Sequence, residues 1–270
     1  MYSLIVPTLG KKQNELVRLL DSLLEQKNVN LEIIIAVQDN HKSVEKIIAS
    51  YSDLNIVLLN LNRRGLSYAR NEALKCVTQK IITFSDDDCW YPADIFNEIH
   101  DIVINNAIST FNIYDPIKNK FYKNYSKNKK NYTSVYTALK VSSIEIFINT
   151  NLIDKNQIDF DTLFGLGAIF PSGEENTLLL DLLKNNNEIT YVPVIAVYHE
   201  KKDNILLGEK NLEAKGAFFA RNFNYVLSLF LSLAFISKKY KLLGKPSSGL
   251  KSILKGRNMY YLEKKKLAKK

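Results

Sequence analysis

Two cysteines in 270 residues, Cys76 and Cys89, are too few for a disulfide framework and lack metal-ligand spacing, which fits a reducing compartment. The amino terminus, MYSLIVPTLG, has neither a basic leading segment nor a long apolar one, so no signal peptide is read and cytoplasmic residence is the expectation. The apolar stretch from Tyr225 to Ile236 covers 12 residues and is interrupted by two serines. As a helix it would rise ~18 Å against a hydrocarbon core of ~30 Å, so a simple transmembrane span is excluded. Glycine is sparse around the first apolar segment, where Gly10 stands alone, so that place holds no glycine-rich phosphate loop.

What is present is an ordinary globular composition, 46% apolar and 24% charged, which argues against disorder. The length allows one large core or a core with an appendage. The net charge of +9 is unevenly placed. Residues 1–200 hold 20 Lys+Arg against 24 Asp+Glu, giving −4, and residues 201–270 hold 17 against 4, giving +13. A basic tail of this kind points to an anionic surface, phospholipid or nucleic acid, with a merely solvated tail as the bland alternative.

The first hundred residues alternate two periodicities. SLIVPT (3–8), LEIIIAVQD (31–39), NIVLLNL (55–61) and KIITFSDDD (80–88) are strand-like runs. Between them NELVRLLDSLLEQ (14–26), SVEKIIASY (43–51) and GLSYARNEALKCV (65–77) repeat apolar residues at helical spacing, and a further helix opened by Pro92 is expected over 92–104. Strands joined by helices imply right-handed crossovers and a mainly parallel sheet flanked by helices, with ligands beyond the carboxyl ends of the strands. Farther along, 114–132 reads as a surface excursion or hairpin, 134–140 and 144–150 as strands, 176–185 as a helix, and 188–200 as a last apolar strand ending at His199.

Asp86, Asp87 and Asp88 follow the apolar run 81–84 directly. Three adjacent carboxylates at a strand end repel one another, and their charge is tolerable when a cation is part of the working state. In an extended segment the first and third side chains point the same way, towards one ion or one nucleotide. A divalent ion held by one or two carboxylates keeps positions open for diphosphate oxygens, which predicts group transfer from a nucleotide-activated donor. The neighbouring acids in SGEEN, Glu174 and Glu175, open an apolar helix; helix-terminal charge complementarity is the simple reading, and a general base is the functional one.

SLIVPT, Asp39, NRRGLSYARNEAL (62–74), FSDDDCW (84–90), GLGAIFPSGEEN (165–176) and His199 occur in an order and spacing that resembles a family 2 glycosyltransferase of the GT-A fold, over about residues 3–200. The resemblance implies that Pro7 and Thr8 line the nucleoside pocket and that Asp39 hydrogen-bonds the base, uracil by analogy. It also implies that Arg63 or Arg64 approaches the nucleotide and that Arg70 braces the acidic motif. Asp86 would face the ribose, Asp88 would ligate a divalent metal (Mn²⁺ or Mg²⁺), and Asp87 would be a spacer or a partner for Arg70. His199 would complete the metal site. The family usually carries Glu-Asp where this chain has Glu174-Glu175, so Glu175 is expected as base and Glu174 as second choice. Trp90 is read either as a platform for a sugar ring or as packing.

The expected organisation is a catalytic domain over 1–205, with a nucleotide-binding half (1–105) and an acceptor and base half (106–205), followed by a helical basic region over 206–270. The expected reaction is inverting, metal-dependent transfer of a sugar from a nucleotide diphosphate donor to a glycan or lipid-linked oligosaccharide, in the setting of bacterial surface polysaccharide. Two alternatives are a sugar-phosphate nucleotidyltransferase, which would want the missing glycine-rich loop, and a nucleic-acid-binding protein, which leaves the acidic triplet unexplained; no nucleic acid is expected. A degenerate, non-catalytic relative is a further alternative. Within 222–245, Asn224, Ser228 and Ser232 form a polar stripe opposite a wide apolar face, with Lys238, Lys239, Lys241 and Lys245 following. That pattern suits a helix lying on an anionic membrane surface, with packing against the catalytic domain as the alternative. Oligomeric state is left open by the sequence.

Overall fold

Four short apolar runs become the parallel half of the sheet, in which β1, β2 and β4 are buried on both faces and β3 forms the half-exposed edge. The computed structural model describes residues 1–132, 138–201, 208–239 and 246–267. Strands β1 (Tyr2–Thr8), β2 (Leu31–Val37), β3 (Asn55–Asn60) and β4 (Ile81–Phe84) pair in parallel in the order β3-β2-β1-β4. On one face Ile5, Ile34 and Ala36 meet Ala69 and Ala73 of helix α3 (Leu66–Cys76). On the other, Leu4, Val6, Ile33 and Ile35 meet Leu16, Leu19, Leu20 and Leu23 of α1 (Gln13–Leu24) and Val44 of α2 (His41–Ile48). The period of two along the strands and the 3.6-residue period of the helices therefore point at each other.

The helix expected over 92–104 is divided. Asp94 takes a left-handed conformation at φ 57° and starts α4 (Ile95–Glu98), and a separate α5 (His100–Ile104) follows, so Pro92 opens no helix. Strand β5 (Ile108–Asp115), in which Ser109, Thr110 and Asn112 interrupt the apolar residues, was not anticipated by the sequence reading. The excursion 114–132 contributes β6 (Lys120–Phe121), paired to β5, and β7 (Lys130–Tyr132). Of the strand expected over 134–140, residues 133–137 lie outside the described residues, and 138–140 form a turn in which the Val141 amide donates to the Ala138 carbonyl at 3.3 Å. The strand expected over 144–150 is shortened to β8 (Ile146–Asn149) behind a 3₁₀ turn at Ser143–Glu145. Helix α6 (Glu174–Lys184) and strand β9 (Ile189–Tyr198) match the expected positions within a few residues.

The full sheet runs β3-β2-β1-β4-β8-β5-β9-β7. β8 lies antiparallel to both β4 and β5, and β9 returns parallel to β5. The β5–β9 register slips around Asn112. Pro193, which has no N–H for a ladder bond, falls in the extra length of β9, the usual place for proline inside a sheet. The corrected register brings the His199 amide to the Tyr114 carbonyl at 3.0 Å and so fixes where the last strand delivers its histidine.

Three helices close the chain: α7 (Glu209–Asn222), α8 (Tyr225–Lys239) and α9 (Pro246–Leu267). Their buried residues Leu212, Ala217, Phe218, Ile236, Ile253 and Tyr260 belong to the same packed cluster as the α3 and α6 face of the sheet. Helices α7 and α9 touch through glycine. A Cβ on Gly216 would lie 1.9 Å from the Ile253 carbonyl oxygen, and one on Gly256 would lie 1.9 Å from that of Glu213. Gly216→Ala is therefore expected to force the helices apart at a cost of ~1–3 kcal/mol. Thermal unfolding should show a fall of several degrees in Tm, and an unchanged Tm would contradict this packing.

Candidate active site

The carboxyl ends of β1 and β4 lie side by side, with the Ser85 amide donating to the Ile5 carbonyl at 2.9 Å, and this adjacency places the acidic triplet beside Thr8. Thr8 Oγ1 donates to Asp87 at 2.7 Å and accepts from the Gly10 amide at 2.8 Å. Gly10 has φ +63°, and a Cβ there would meet the Val44 side chain at 2.8 Å, so the turn that carries the chain into α1 requires glycine. That turn delivers Lys12, whose Nζ lies 2.5 Å from Asp88 Oδ2 and 3.6 Å from Asp87 Oδ1. The triplet thus has a cation supplied by the chain itself, a role that sequence reasoning missed. The only signal was a lysine four residues beyond Thr8.

The three aspartates have different environments. Burial pushes the Asp87 carboxyl above its ordinary range, and the Thr8 hydrogen bond and Lys12 only partly oppose this. Burial acts on Asp88 in the same direction but is outweighed by hydrogen bonds from His199 and Lys12, which hold it well below the usual carboxylate range. Asp86 opens towards the cavity and pairs with Arg70 at 3.4 Å. The expected partnership of Asp87 with Arg70 is therefore replaced: Asp87 belongs to Thr8 and Lys12, and Arg70 belongs to Asp86. The reason lies in the turn that follows β4, closed by the Cys89 amide on the Asp86 carbonyl at 3.2 Å, which leaves Asp86 on the Arg70 side and carries Asp87 and Asp88 to Lys12.

Arg70 is buried on α3 and binds three segments together. Besides Asp86 it reaches Glu174 at 3.3 Å and Ser143 Oγ at 2.8 Å. Glu174 and Glu175 form the first turn of α6, where the helix dipole favours negative charge. Gly173 precedes them at φ +104°, with Phe218 of α7 3.3 Å from where a Cβ would stand. Glu175 takes part in none of the ion pairs among the described residues. Burial, and then the charge of Glu174, push its carboxyl upwards.

His199 Nε2 lies 3.2 Å from Asp88 Oδ1, and the edge of its ring meets Tyr122 at 5.3 Å between centroids. Burial would lower its pKa, but the Asp88 contact outweighs it and raises it. Ligand atoms of Asp86, Asp88, Cys89 and His199 all lie within 4.8 Å of one another. Carboxylate oxygens with one imidazole nitrogen suit a divalent ion such as Mn²⁺ or Mg²⁺. Cys89 is fully buried and its thiol is pushed up, first by that burial, so it stays protonated and outside a hard-cation donor set.

These groups share one cavity of about 730 Å³, lined also by Pro7, Gln38, Arg64, Leu166 and Gly167. Arg64 pairs with Asp39, which does not itself line the wall; Gln38 does, and it accepts from the Gly65 amide at 2.7 Å. Arg63 turns outward and stacks on Tyr68 at 4.9 Å, so of the two neighbouring arginines the cavity takes Arg64. Trp90 is held in backbone pairing with Tyr198 and carries Arg18 3.7 Å above its ring, which makes it a packing residue here. The GLG segment closes on the arginine loop: the Leu66 amide donates to the Leu166 carbonyl at 2.9 Å, and a Cβ on Gly165 would meet Ser67 Oγ at 2.9 Å.

The two glutamates should separate in stability. Glu174→Gln breaks a buried pair with Arg70 and is expected to cost on the order of 3 kcal/mol. Glu175→Gln removes a half-buried carboxyl with no ion pair among the described residues and is expected to leave Tm unchanged or to raise it. Thermal melts of both variants make the comparison, and equal losses would refute this division.

Comparison with known proteins agrees with this architecture. Residues 3–161, more than half of the chain, match the family described as glycosyl transferase family 2. An Escherichia coli protein, UDP-Glc:alpha-D-GlcNAc-diphosphoundecaprenol beta-1,3-glucosyltransferase WfgD, is 25% identical over 191 residues, covering 69% of this chain and 71% of its own. Glycosyltransferase GlyA of Streptococcus pneumoniae is 23% identical over 190 residues, 64% of this chain but 27% of its own. The crystal structure of Staphylococcus aureus TarS 1–349 in complex with UDP-GlcNAc shares the fold, with a TM-score of 0.65, 15% identity, and coverage of 92% of this chain and 74% of that one. The mixed sheet with acids at the carboxyl end of β4 and the matched sequence over most of that sheet have one explanation: this chain is a glycosyltransferase belonging to glycosyl transferase family 2.

Proposed function

We propose that this chain is an inverting, divalent-metal-dependent hexosyltransferase. It moves a sugar from a UDP-sugar to a lipid-linked oligosaccharide in surface polysaccharide synthesis, on the cytoplasmic side. The observation that carries the reading is the sorting of five acids around one cavity. Asp87 and Asp88 take Lys12, Asp86 and Glu174 take Arg70, and Glu175 has no close ion pair among the described residues. The donor is read from the UDP-GlcNAc bound by the TarS structure and from the UDP-Glc in the E. coli relative's name, and the lipid-linked acceptor from the diphosphoundecaprenol in that name.

In this reading Pro7, Thr8 and Gln38 form the nucleoside wall, with Asp39 acting through Arg64, and Asp86 faces the ribose. Asp88 and His199 would hold the metal, which when bound offsets the negative charge gathering on the departing diphosphate. Glu175 accepts the proton of the acceptor hydroxyl, whose oxygen attacks the anomeric carbon as the bond to the diphosphate breaks. A single base and a direct displacement invert the configuration. Burial suits Glu175 to the task, because a carboxylate whose pKa is raised towards working pH is a better proton acceptor. The pair Glu-Glu thus divides into a structural acid and a catalytic one, with Glu174 committed to Arg70.

Glu175→Gln should lower transfer by ~10²–10⁴-fold while leaving UDP binding intact, as read by product formation and calorimetry. If Glu174→Gln abolished transfer in a folded protein while Glu175→Gln kept it, the base would be reassigned. A base works deprotonated, so activity should rise with pH along a limb displaced above the ordinary glutamate value of about 4.3, and a limb at or below that value contradicts the assignment. Chelation should remove transfer, and Mn²⁺ or Mg²⁺ should restore it in the parent but not in Asp88→Ala. Full activity in chelator would end the metal reading.

A further inference from the structure

Helix α8 faces the wrong way for a helix of a water-exposed surface. It buries Ser228 and Ser232, each 0% exposed, and presents Val226 (76% exposed), Phe230 (65%) and Leu233 (47%) outward. Residues 226, 230 and 233 stand at helical spacing and share one face, to which Leu227, also exposed, adds. The inversion has a cause inside the fold. Arg257 of α9 is buried against α8 and donates to Ser228 Oγ at 3.0 Å and to the Tyr225 carbonyl at 3.1 Å. Ser228 is drawn inward to accept from it, Ser232 follows on the same face and donates to the Ser228 carbonyl at 2.7 Å, and the apolar stripe is left outside.

The ends of that stripe carry positive charge. Helix α8 contains no acidic residue and ends in Lys238 and Lys239. At its start an open cavity of about 510 Å³ is lined by Tyr225, Tyr261, Lys264 and Lys265, with the two rings 6.1 Å apart. An apolar stripe flanked by tyrosines and lysines is the composition of a helix seated at a lipid–water boundary. Among the described residues no helix is long and apolar enough to cross a membrane, so such a helix lies in the surface.

We infer that the α8 face docks this protein on an anionic phospholipid bilayer, with the apolar stripe among the acyl chains and the flanking lysines at the headgroups. A second copy of the chain fits the face less well, because a two-fold contact through it would bring its lysines together. The docking is rigidly connected to the site. Helix α8 packs through Phe235 against Phe219 of α7, with ring centroids 6.2 Å apart, and the neighbouring Phe218 abuts Gly173 at the start of the helix bearing Glu174 and Glu175. The inference goes beyond the transfer reaction: vesicle binding is measured without donor or acceptor, so its failure leaves the transferase reading standing.

The test is flotation of the full chain with phosphatidylcholine vesicles, with and without phosphatidylglycerol. Binding is expected only with the anionic lipid and should weaken as salt is raised. Val226→Ser with Phe230→Ser, and separately Lys264→Glu with Lys265→Glu, should each lower the bound fraction at least tenfold, in proteins whose melting is unchanged. Phe230→Trp should keep binding and show a blue-shifted emission on anionic vesicles, which guards against a mere loss of folding. The inference is overturned if the parent does not bind, if both double variants bind as the parent does, or if light scattering shows a dimer that Phe230→Ser dissolves in place of vesicle binding.

Discussion

A single buried guanidinium organises the site. The Arg70 side chain is 1% exposed, and its contacts run to the strand end after β4, to the turn before β8 and to the first residue of α6. A charge so placed costs several kcal/mol in desolvation unless its partners are charged and well oriented. Asp86 and Glu174 meet that need, and the rings of Phe84 and Phe160 lie beneath the guanidinium at 5.8 and 5.3 Å. The pairing of β4 with β8 already sets two of these segments side by side, and the same contacts tie the start of α6 to them.

Two cations then divide the acids of the cavity unequally. Lys12 and Arg70 each take two carboxylates, and the fifth, Glu175, has no close cation among the described residues. Carboxylates crowded into one cavity cannot all remain charged without compensation, so the one with no ion pair among the described residues becomes the readily protonated one. The proposed chemistry follows from that inequality, since proton transfer needs a group poised near working pH while donor and metal binding need groups that stay ionised.

The carboxyl-terminal helices show the same logic applied to packing. Gly216 and Gly256 let α7 and α9 approach to backbone contact, and Arg257 on the inner side of that pair demands polar partners. Ser228 turns inward for that reason and Ser232, one turn later on the same face, follows it and donates to the Ser228 carbonyl, although the helical period alone would equally allow both to face water. The polar stripe was visible in the sequence; the direction in which it faced was not. A buried cation on another helix made that choice.

Much of this protein could be read from local pattern. The alternation of strand and helix, the acids at the end of β4, the two glutamates opening α6 and the histidine ending β9 are encoded within windows of a few residues, where side-chain period alone decides which face is apolar. Strand β5 escaped because Ser109, Thr110 and Asn112 break its apolar alternation, and the helix after Pro92 starts late because Asp94 takes a left-handed conformation and divides at Ile99, where the backbone leaves helical geometry at φ −91° and ψ 1°; no periodicity announces either. Tertiary structure alone decided which arginine lines the cavity, that Lys12 supplies the triplet's cation, that Asp87 turns to Thr8 instead of Arg70, and that α8 shows its apolar side outward. Each of those outcomes depends on partners far apart in the chain: 76 residues separate Lys12 from Asp88, and 104 separate Arg70 from Glu174. Residue type and spacing determine what a segment is able to bury or bind, whereas the partner is chosen only when the sheet and its helices bring distant charges within reach.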